Sequence, residues 1–503
     1  MLTELSWTHQ SAYPVLAALQ LLPLLAAGLM VLLRRLPASR VLMLALALAL
    51  AELLLVVQVF FLYLPGEAAL QFAERLELPG PLDYHVAIDG VSIVFLVLAV
   101  LLTLLVLLYG PTRELHPTWL LNALIFGVQG AFMVQICTLN LLWLLPASAL
   151  EFGLVGYLLW RWGGTPDKDL ALSRFYQFMG TSLLLLLVGA LLLAWDHGER
   201  FQGRWSFDLL ELVQVPRQME LQTLVFYLLF YGFAIRTPLF PLHGWLPLVA
   251  EHGNIAIAPA LLLGLKLGLY GMLRFVFPLV PDAVLRWQGY VVAFAVVGIF
   301  YAALLAMWQT NLRRLLAFAV VSHTGLLVVG MFSLELAALQ GSVILTVTFG
   351  LAIATLVFMM GLVYQRTHSI SLDRLGALMD QIPAIGIAFL VAGVSIFSMP
   401  GTPGFGAVHL VLESSMHRFG GLVTIAAALG NLLSAGFLLW AFQRTFLAPR
   451  KAGLPPWRVE RVAPLEYLVA GISILVLLVT GFHLDPWLHL VEGPLRLLAE
   501  RIG

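Results

Sequence analysis

Apolar runs of about twenty residues follow one another from near residue 15 to near residue 483, and no other feature constrains the fold of this chain as much. Each run is long enough to cross a bilayer as a helix. In hydrocarbon every backbone N–H and C=O must be satisfied within the protein, so spans are helices or closed barrels. The runs are Leu-rich and lack period-2 alternation, which selects helices. The composition agrees: hydrophobic residues make up 61% and charged residues 11%, against about 45–50% and about 25% in soluble domains.

The runs predict fourteen spans, at roughly 15–34, 41–64, 90–109, 119–137, 140–160, 176–195, 222–245, 258–278, 287–306, 312–332, 338–364, 383–413, 420–446 and 464–483. The first run is too long for a signal-peptide core, and Arg34 and Arg35 follow it rather than precede it, so it is expected to remain as a span. The longer loops are 65–89, 196–221 and 447–463; the second carries "FDLLELV", apolar on one face and expected to form an interfacial helix. If the N-terminus lies outside, sixteen basic residues fall in cytoplasmic loops and nine on the external side, so the positive-inside rule favours both termini outside. Arg236 and Lys266 belong to neither group, because they fall inside spans.

The segment "FAIRTPLFPLHGWLP" (233–247) sets Arg236 beside Pro238 and Pro241 within an apolar run, and "SMPGTPGFGAVHLVLE" (398–413) repeats the interruption with Pro400 and Pro403. Proline frees backbone carbonyls, tolerable only where a helix lines protein or a wet cavity. Two Pro-broken spans at matching places in two halves point to an inverted-repeat transporter and to its site. The expected fold is therefore all-α and integral to the membrane, with two inverted five-helix repeats. Helices 1–3 occupy residues 1–110, repeat one (helices 4–8) 111–280, repeat two (helices 9–13) 281–446, and a C-terminal loop with helix 14 occupies 447–503.

Charged groups in mid-bilayer cost roughly 2.5–3.5 kcal/mol on insertion scales, so they usually face a bundle interior or water. Lys266 sits deep in "LLLGLKLGLYGMLRF", and a desolvated lysine can exchange a proton. Glu52, Glu151, His323, His409 and Glu413 are the other embedded candidates, and such a series reads as a proton relay. Glu52 could equally be structural or contact a partner. The 27 basic and 27 acidic residues form no basic tract for nucleic acid, and the single cysteine, Cys137, allows neither an intrachain disulfide nor a cysteine cluster. There is no Walker A loop, no dinucleotide-type glycine pattern after a strand and no haem-type histidine pair. No cofactor, metal or redox chemistry is expected of this chain.

With these segments, and with "WQTNLRRLLAFAVVSHTGLLVVG", "LDYHVAIDGVSIVF" and "YQRTHSISLDRLGAL", the chain resembles the antiporter-like proton-translocating membrane subunits of the respiratory complex I/Mrp antiporter superfamily, closest to the NuoM type. The resemblance covers nearly the whole length. It implies that the family's lysine on broken span seven falls on Arg236, its span-eight lysine on Lys266, its span-ten histidine on His323 and its span-five glutamate on Glu151. The departures mark a divergent paralogue. Arginine stands where the switching lysine is expected, Phe349 where a span-eleven histidine is expected, and His409 or Glu413 would have to serve as the end-station on span twelve.

The resemblance implies a proton-translocating subunit of a multisubunit energy-coupling complex in a bacterial inner membrane, itself a non-redox part of an NADH/quinone oxidoreductase-like translocase. Its partners would be other membrane subunits and a peripheral soluble subunit. Protons would pass from Lys266 through His323 toward His409 or Glu413, biased by a Glu151–Arg236 charge pair. The alternatives are the proton-driven membrane subunit of an inorganic-carbon (bicarbonate/CO2) uptake complex or a cation/proton antiporter, and a scaffold that no longer pumps.

Overall fold

In the computed structural model, which describes residues 4–65, 70–78, 80–113, 115–163, 165–253, 261, 266–450 and 460–502, the apolar runs are helices. In chain order they are α1 (Val15–Leu32), α2 (Ala38–Leu62), α3 (Gly90–Tyr109), α4 (Thr118–Cys137), α5 (Leu141–Arg161), α6 (Lys168–Arg200), a short α7 (Leu209–Val213), α8 (Met219–Arg236) and α9 (Trp245–His252). Then follow α10 (Leu267–Leu279), α11 (Pro281–Met307), α12 (Leu312–Met331), α13 (Leu336–Thr367), α14 (Pro383–Ile396), α15 (Pro403–Phe419), α16 (Gly421–Phe442), α17 (Pro464–Phe482) and α18 (Asp485–Ile502). Eleven of the described helices are long and apolar enough to cross a membrane. Every expected span has a helical counterpart, although the first half of span eight, residues 258–265, lies outside the described residues apart from Leu261.

Local chemistry sets the ends. Asp89 caps α3 by accepting the Ser92 N–H at 2.9 Å, Asn140 caps α5 through Leu142 N–H at 2.8 Å, and Asn311 caps α12 through Arg313 N–H at 2.9 Å. The "FDLLELV" stretch forms α7, capped by Asp208, with Leu209 and Leu212 turned inward. Helices α3 and α4 are 89% buried over their apolar windows and α12 and α13 94%, against 28% for α2, α16 and α17. The first four therefore form the interior, and a polar side chain on them faces protein rather than lipid.

Both expected breaks are present and both are closed by side chains. Helix α8 stops at Arg236 and the chain resumes as α9 at Trp245, with Pro238 and Pro241 in the linker. The Trp245 indole donates to the freed Ile235 carbonyl at 3.0 Å, and the Thr237 hydroxyl to Phe233 O at 3.0 Å. In the second half α14 ends at Ile396, Pro400 lies in the linker and Pro403 opens α15. There Asn431 Nδ2 donates to Phe397 O at 3.1 Å. The halves also pack alike: α6 lies against both α8 and α9, and α13 against both α14 and α15. Each of these is the third helix of its five, and each broken helix is the fourth.

Two features escape the span pattern. Residues expected to be loop form a three-stranded sheet, with β1 (Glu4–Ser6) parallel to β2 (Leu70–Leu76) and β2 antiparallel to β3 (Tyr84–Ile88). The C-terminal tail forms α18, packed on α3 and α13. Gly90 makes room for it: a Cβ there would lie 1.7 Å from the Leu490 carbonyl oxygen. The sheet, α7 and α18 lie on one side of the bundle, called here the strand face.

His85 of β3 ties this face together, with Nδ1 2.5 Å from Asp208 and Nε2 3.2 Å from Glu4. Burial opposes its protonation, but the two carboxylates outweigh burial and raise its pKa from 6.5 to about 9. A raised pKa stabilises the fold fully below the unfolded value and loses that contribution as pH climbs through the folded value. The melting temperature of the detergent-solubilised protein is therefore expected to fall between pH 6.5 and about 9, by the equivalent of on the order of 3 kcal/mol. His85→Gln should flatten this slope; a variant melting with the same pH dependence as the parent would refute the assignment.

Candidate functional site

Helix α5 presents Ser148, Glu151 and Phe152 one turn apart, and α4 brings Gln135 alongside. Arg236, the last residue of α8, reaches into this group because the Pro-induced break ends its helix there. Its NH2 donates to Glu151 Oε2 at 2.7 Å and to Gln135 Oε1 at 2.8 Å, and its NH1 to Ser148 Oγ at 3.1 Å. Gln135 Nε2 donates to the same Glu151 oxygen at 2.9 Å, and the Ser148 hydroxyl donates to Gln135 Oε1 at 2.8 Å. The guanidinium carbon lies 4.9 Å from the centre of the Phe152 ring, within cation–π range. Both charged side chains are 5% exposed. The planar fork of arginine suits this multidentate role, and arginine does not give up its proton. The cation is a fixed charge.

Lys266 is 4% exposed and sits just before α10 in a left-handed backbone conformation (φ 45°). Mid-span placement was expected; the described helix instead begins one residue later. Among the described residues Nζ has no hydrogen-bond partner. Gly268 and Gly271 bring α10 against α8, since a Cβ at Gly268 would lie 1.9 Å from Thr237 Oγ1 and one at Gly271 would lie 2.2 Å from the Phe233 ring. Glu151, Arg236 and Lys266 line one narrow cavity of about 10 Å³, room for about one water. The ion pair and the lysine thus share a site.

His323, on α12, is 3% exposed, and its Nε2 has no partner among the described residues. Phe349 of α13 touches both groups: its ring centre is 6.0 Å from Lys266 Nζ and 4.7 Å from that of His323. His409 and Glu413 are not brought into this interior. They stand one turn apart on the exposed face of α15, His409 against Phe405 at 5.6 Å. Among the described residues from 281 to 446, the buried ionisable side chains include Arg313, His323 and Arg366, the last paired with Glu466. Glu52, in α2, is fully buried with neither carboxyl oxygen in a hydrogen bond among the described residues.

Sequence reasoning missed Gln135 and Ser148, whose polarity in an apolar helix was the available signal. It also missed a second buried ion pair at the strand face, Asp89–Arg274 at 2.8 Å. Asp89 lies within the quoted "LDYHVAIDGVSIVF", and Arg274 lies two helical turns beyond Lys266.

Residues 149–434, more than half of the chain, match the family described as "NADH:quinone oxidoreductase/Mrp antiporter, TM". A relative named NAD(P)H-quinone oxidoreductase chain 4 1, of Synechococcus sp. (strain JA-2-3B'a(2-13)), is 31% identical over 94% of this chain and 90% of its own. A chain in the structure of respiratory complex I from Thermus thermophilus with bound NADH superposes with a TM-score of 0.87 at 26% identity, covering 98% of this chain and 100% of that one. A chain of the Mrp complex from Dietzia sp. DQ12-45-1b shares the fold, with a TM-score of 0.86 at 16% identity over 97% of this chain and 99% of that one. These structural neighbours are subunits of multisubunit membrane complexes, and this chain, like them, is a multi-pass membrane protein.

Removing one partner of a buried ion pair leaves an uncompensated charge and costs roughly 3–5 kcal/mol. Glu151→Ala and Arg236→Ala should each lower thermal stability in detergent by about this amount, with the Glu151→Leu/Arg236→Met double variant less affected than either. Equal and additive losses would show that the pair is not coupled.

Proposed function

The chain belongs to the NADH:quinone oxidoreductase/Mrp antiporter membrane family, and we propose that it translocates protons as one membrane subunit of a larger energy-coupling complex, with Lys266 as the proton-exchanging group and the Glu151–Arg236 pair as its electrostatic control. The observation that carries this reading is the shared cavity: a buried lysine with no partner among the described residues lines the same narrow space as a buried ion pair.

The coupling follows from charge. While Glu151 and Arg236 are closed at 2.7 Å, the carboxylate is spent on the guanidinium, and Lys266 faces a nearly neutral pair. If the pair opens, the Glu151 carboxylate becomes free to stabilise an ammonium on Lys266. At an effective dielectric of about 20, two unit charges 4 Å apart interact by about 4 kcal/mol, enough to switch the lysine's protonation. A partner subunit that shifts α5 against α8 would then load or unload Lys266, a reciprocal coupling between sites. Arg236 in this scheme is the gate and not the carrier, because it keeps its proton in either state.

The excess of basic residues in alternate loops favours an orientation with both termini outside a bacterial inner membrane. The relatives' names place them in quinone-reducing complexes, which supports a peripheral soluble partner for this chain too. Mass spectrometry of a mild-detergent pull-down tests that: peripheral redox subunits would support a redox-driven module, and a zinc-containing, carbonic-anhydrase-like partner would replace it with inorganic-carbon uptake. Proton flux through the reconstituted native complex, read with a pH-sensitive dye in vesicles, should be lost in Lys266→Ala and equally in Lys266→Arg, with the complex still assembled. Intact flux in Lys266→Ala would sink the proposed function.

A further inference from the structure

We infer that Lys266 communicates with the strand face through a proton wire of this chain's own side chains, Tyr270–Ser92–Asp89, which ends in a cavity beneath α18 large enough for several waters. The inference rests on the reading of Lys266 as the proton-exchanging group.

Tyr270 lies in the first turn of α10, four residues beyond Lys266. Its hydroxyl is 3.0 Å from Ser92 Oγ, and the Ser92 hydroxyl is 3.1 Å from Asp89 Oδ1. Tyrosine and serine hydroxyls both donate and accept. Ser92 can therefore take a proton from Tyr270 and pass its own to Asp89 without moving. In the structure the Tyr270 hydroxyl donates to Ile136 O at 2.5 Å, so rotation about its C–O bond turns the wire on. Arg274 fixes the far end, with NH1 donating to Asp89 Oδ2 at 2.8 Å and NH2 to Ser92 Oγ at 3.0 Å. The three wire residues are buried, at 3%, 0% and 7% exposure for Tyr270, Ser92 and Asp89.

The wire has an outlet. Asp89, Tyr270 and Arg274 line a cavity of about 350 Å³ whose far wall is α18, including Pro494, Leu495 and Arg501. At about 30 Å³ per water this space takes on the order of ten molecules. The first link, from Lys266 Nζ to the Tyr270 hydroxyl, is not a direct hydrogen bond among the described residues, and the wire requires bridging water or a swing of the lysine stem to complete it.

The transfer balances as a single proton relay. An N–H bond of the Lys266 ammonium breaks and its proton goes to the Tyr270 oxygen. The tyrosine proton goes to Ser92, and the serine proton to the Asp89 carboxylate, which releases it to water in the cavity. Both hydroxyls end as they began, and the net change is loss of one proton from Lys266.

The lateral alternative lacks these atoms. Toward the second repeat Phe349, whose ring has no exchangeable proton, touches both Lys266 and His323; past His323 no buried carboxylate or histidine follows among the described residues of that repeat, and His409 and Glu413 are on the exposed face of α15.

The test uses the native complex reconstituted in vesicles. Tyr270→Phe keeps the ring that packs 5.1 Å from Phe95 and removes only the hydroxyl; Ser92→Ala removes the central relay oxygen. Each is expected to slow proton flux at least tenfold with unchanged subunit composition, and to alter the solvent deuterium isotope effect, which a packing defect would leave as in the parent. If Tyr270→Phe fails to assemble, Ser92→Ala alone decides. Parental flux and isotope effect in Ser92→Ala or in an assembled Tyr270→Phe, with Lys266→Ala inactive, would overturn the wire but keep Lys266. Parental flux in Lys266→Ala would instead overturn the reading beneath it.

Discussion

The contact on which the site depends is the ion pair between Glu151 and Arg236. Two opposite charges 2.7 Å apart and 5% exposed are tolerable in a membrane protein only as a pair with their remaining hydrogen-bonding capacity met. Gln135 and Ser148 meet part of it, and the Phe152 ring covers a face of the guanidinium. The backbone break serves the same end. By stopping α8 at Arg236, the Thr-Pro step places the cation at a helix C-terminus, where the exposed carbonyls carry partial negative charge. The broken helix is therefore part of the electrostatics of the site as well as its shape.

The two halves show that a break alone does not make a transport site. Each has an interrupted fourth helix packed on an unbroken third, and each uses a neighbouring side chain, Trp245 or Asn431, to satisfy a freed carbonyl. The backbone solution is shared, but the side chains diverge. Repeat one gathers Glu151, Arg236 and Lys266 around one cavity. Beside His323, repeat two offers the ring of Phe349. A shared scaffold can carry different side-chain sets, and the charged groups of the proposed site, Glu151, Arg236 and Lys266, all lie in the first half.

Much of this was legible from the residues. Hydropathy located the spans, the prolines located both breaks, and the family resemblance paired Glu151 with Arg236. The sheet was not legible, because "LQFAERL" and "YHVAI" sit between spans and their pairing is a tertiary fact. Nor was the outward placement of His409 and Glu413. A helix with apolar residues on every side does not declare which face is lipid-facing, and in α15 the buried face is carried by Ala407, Val408, Val411, Ser414 and Ser415. The left-handed turn at Lys266 was hidden for the same reason: a run of leucines and glycines reads as an unbroken span until packing on Thr237 and Phe233 is known.

A proton route through hydrocarbon needs a continuous chain of exchangeable groups, water at its outlet and members that return to their starting state. Residues 89–92 satisfy all three demands in one short stretch. Asp89 caps α3, pairs with Arg274 of α10 and faces the cavity; Gly90 carries the backbone of α18; Ser92 bridges to Tyr270. The strand face is thereby more than a cover over the bundle. Its sheet is held by His85 between Glu4 and Asp208, and its C-terminal helix lies on both α3 and α13. The tail helix that walls the outlet is in this way mechanically continuous with the second repeat. If the proposed outlet carries protons, the second half of the chain touches it through the packing of α18 on α13.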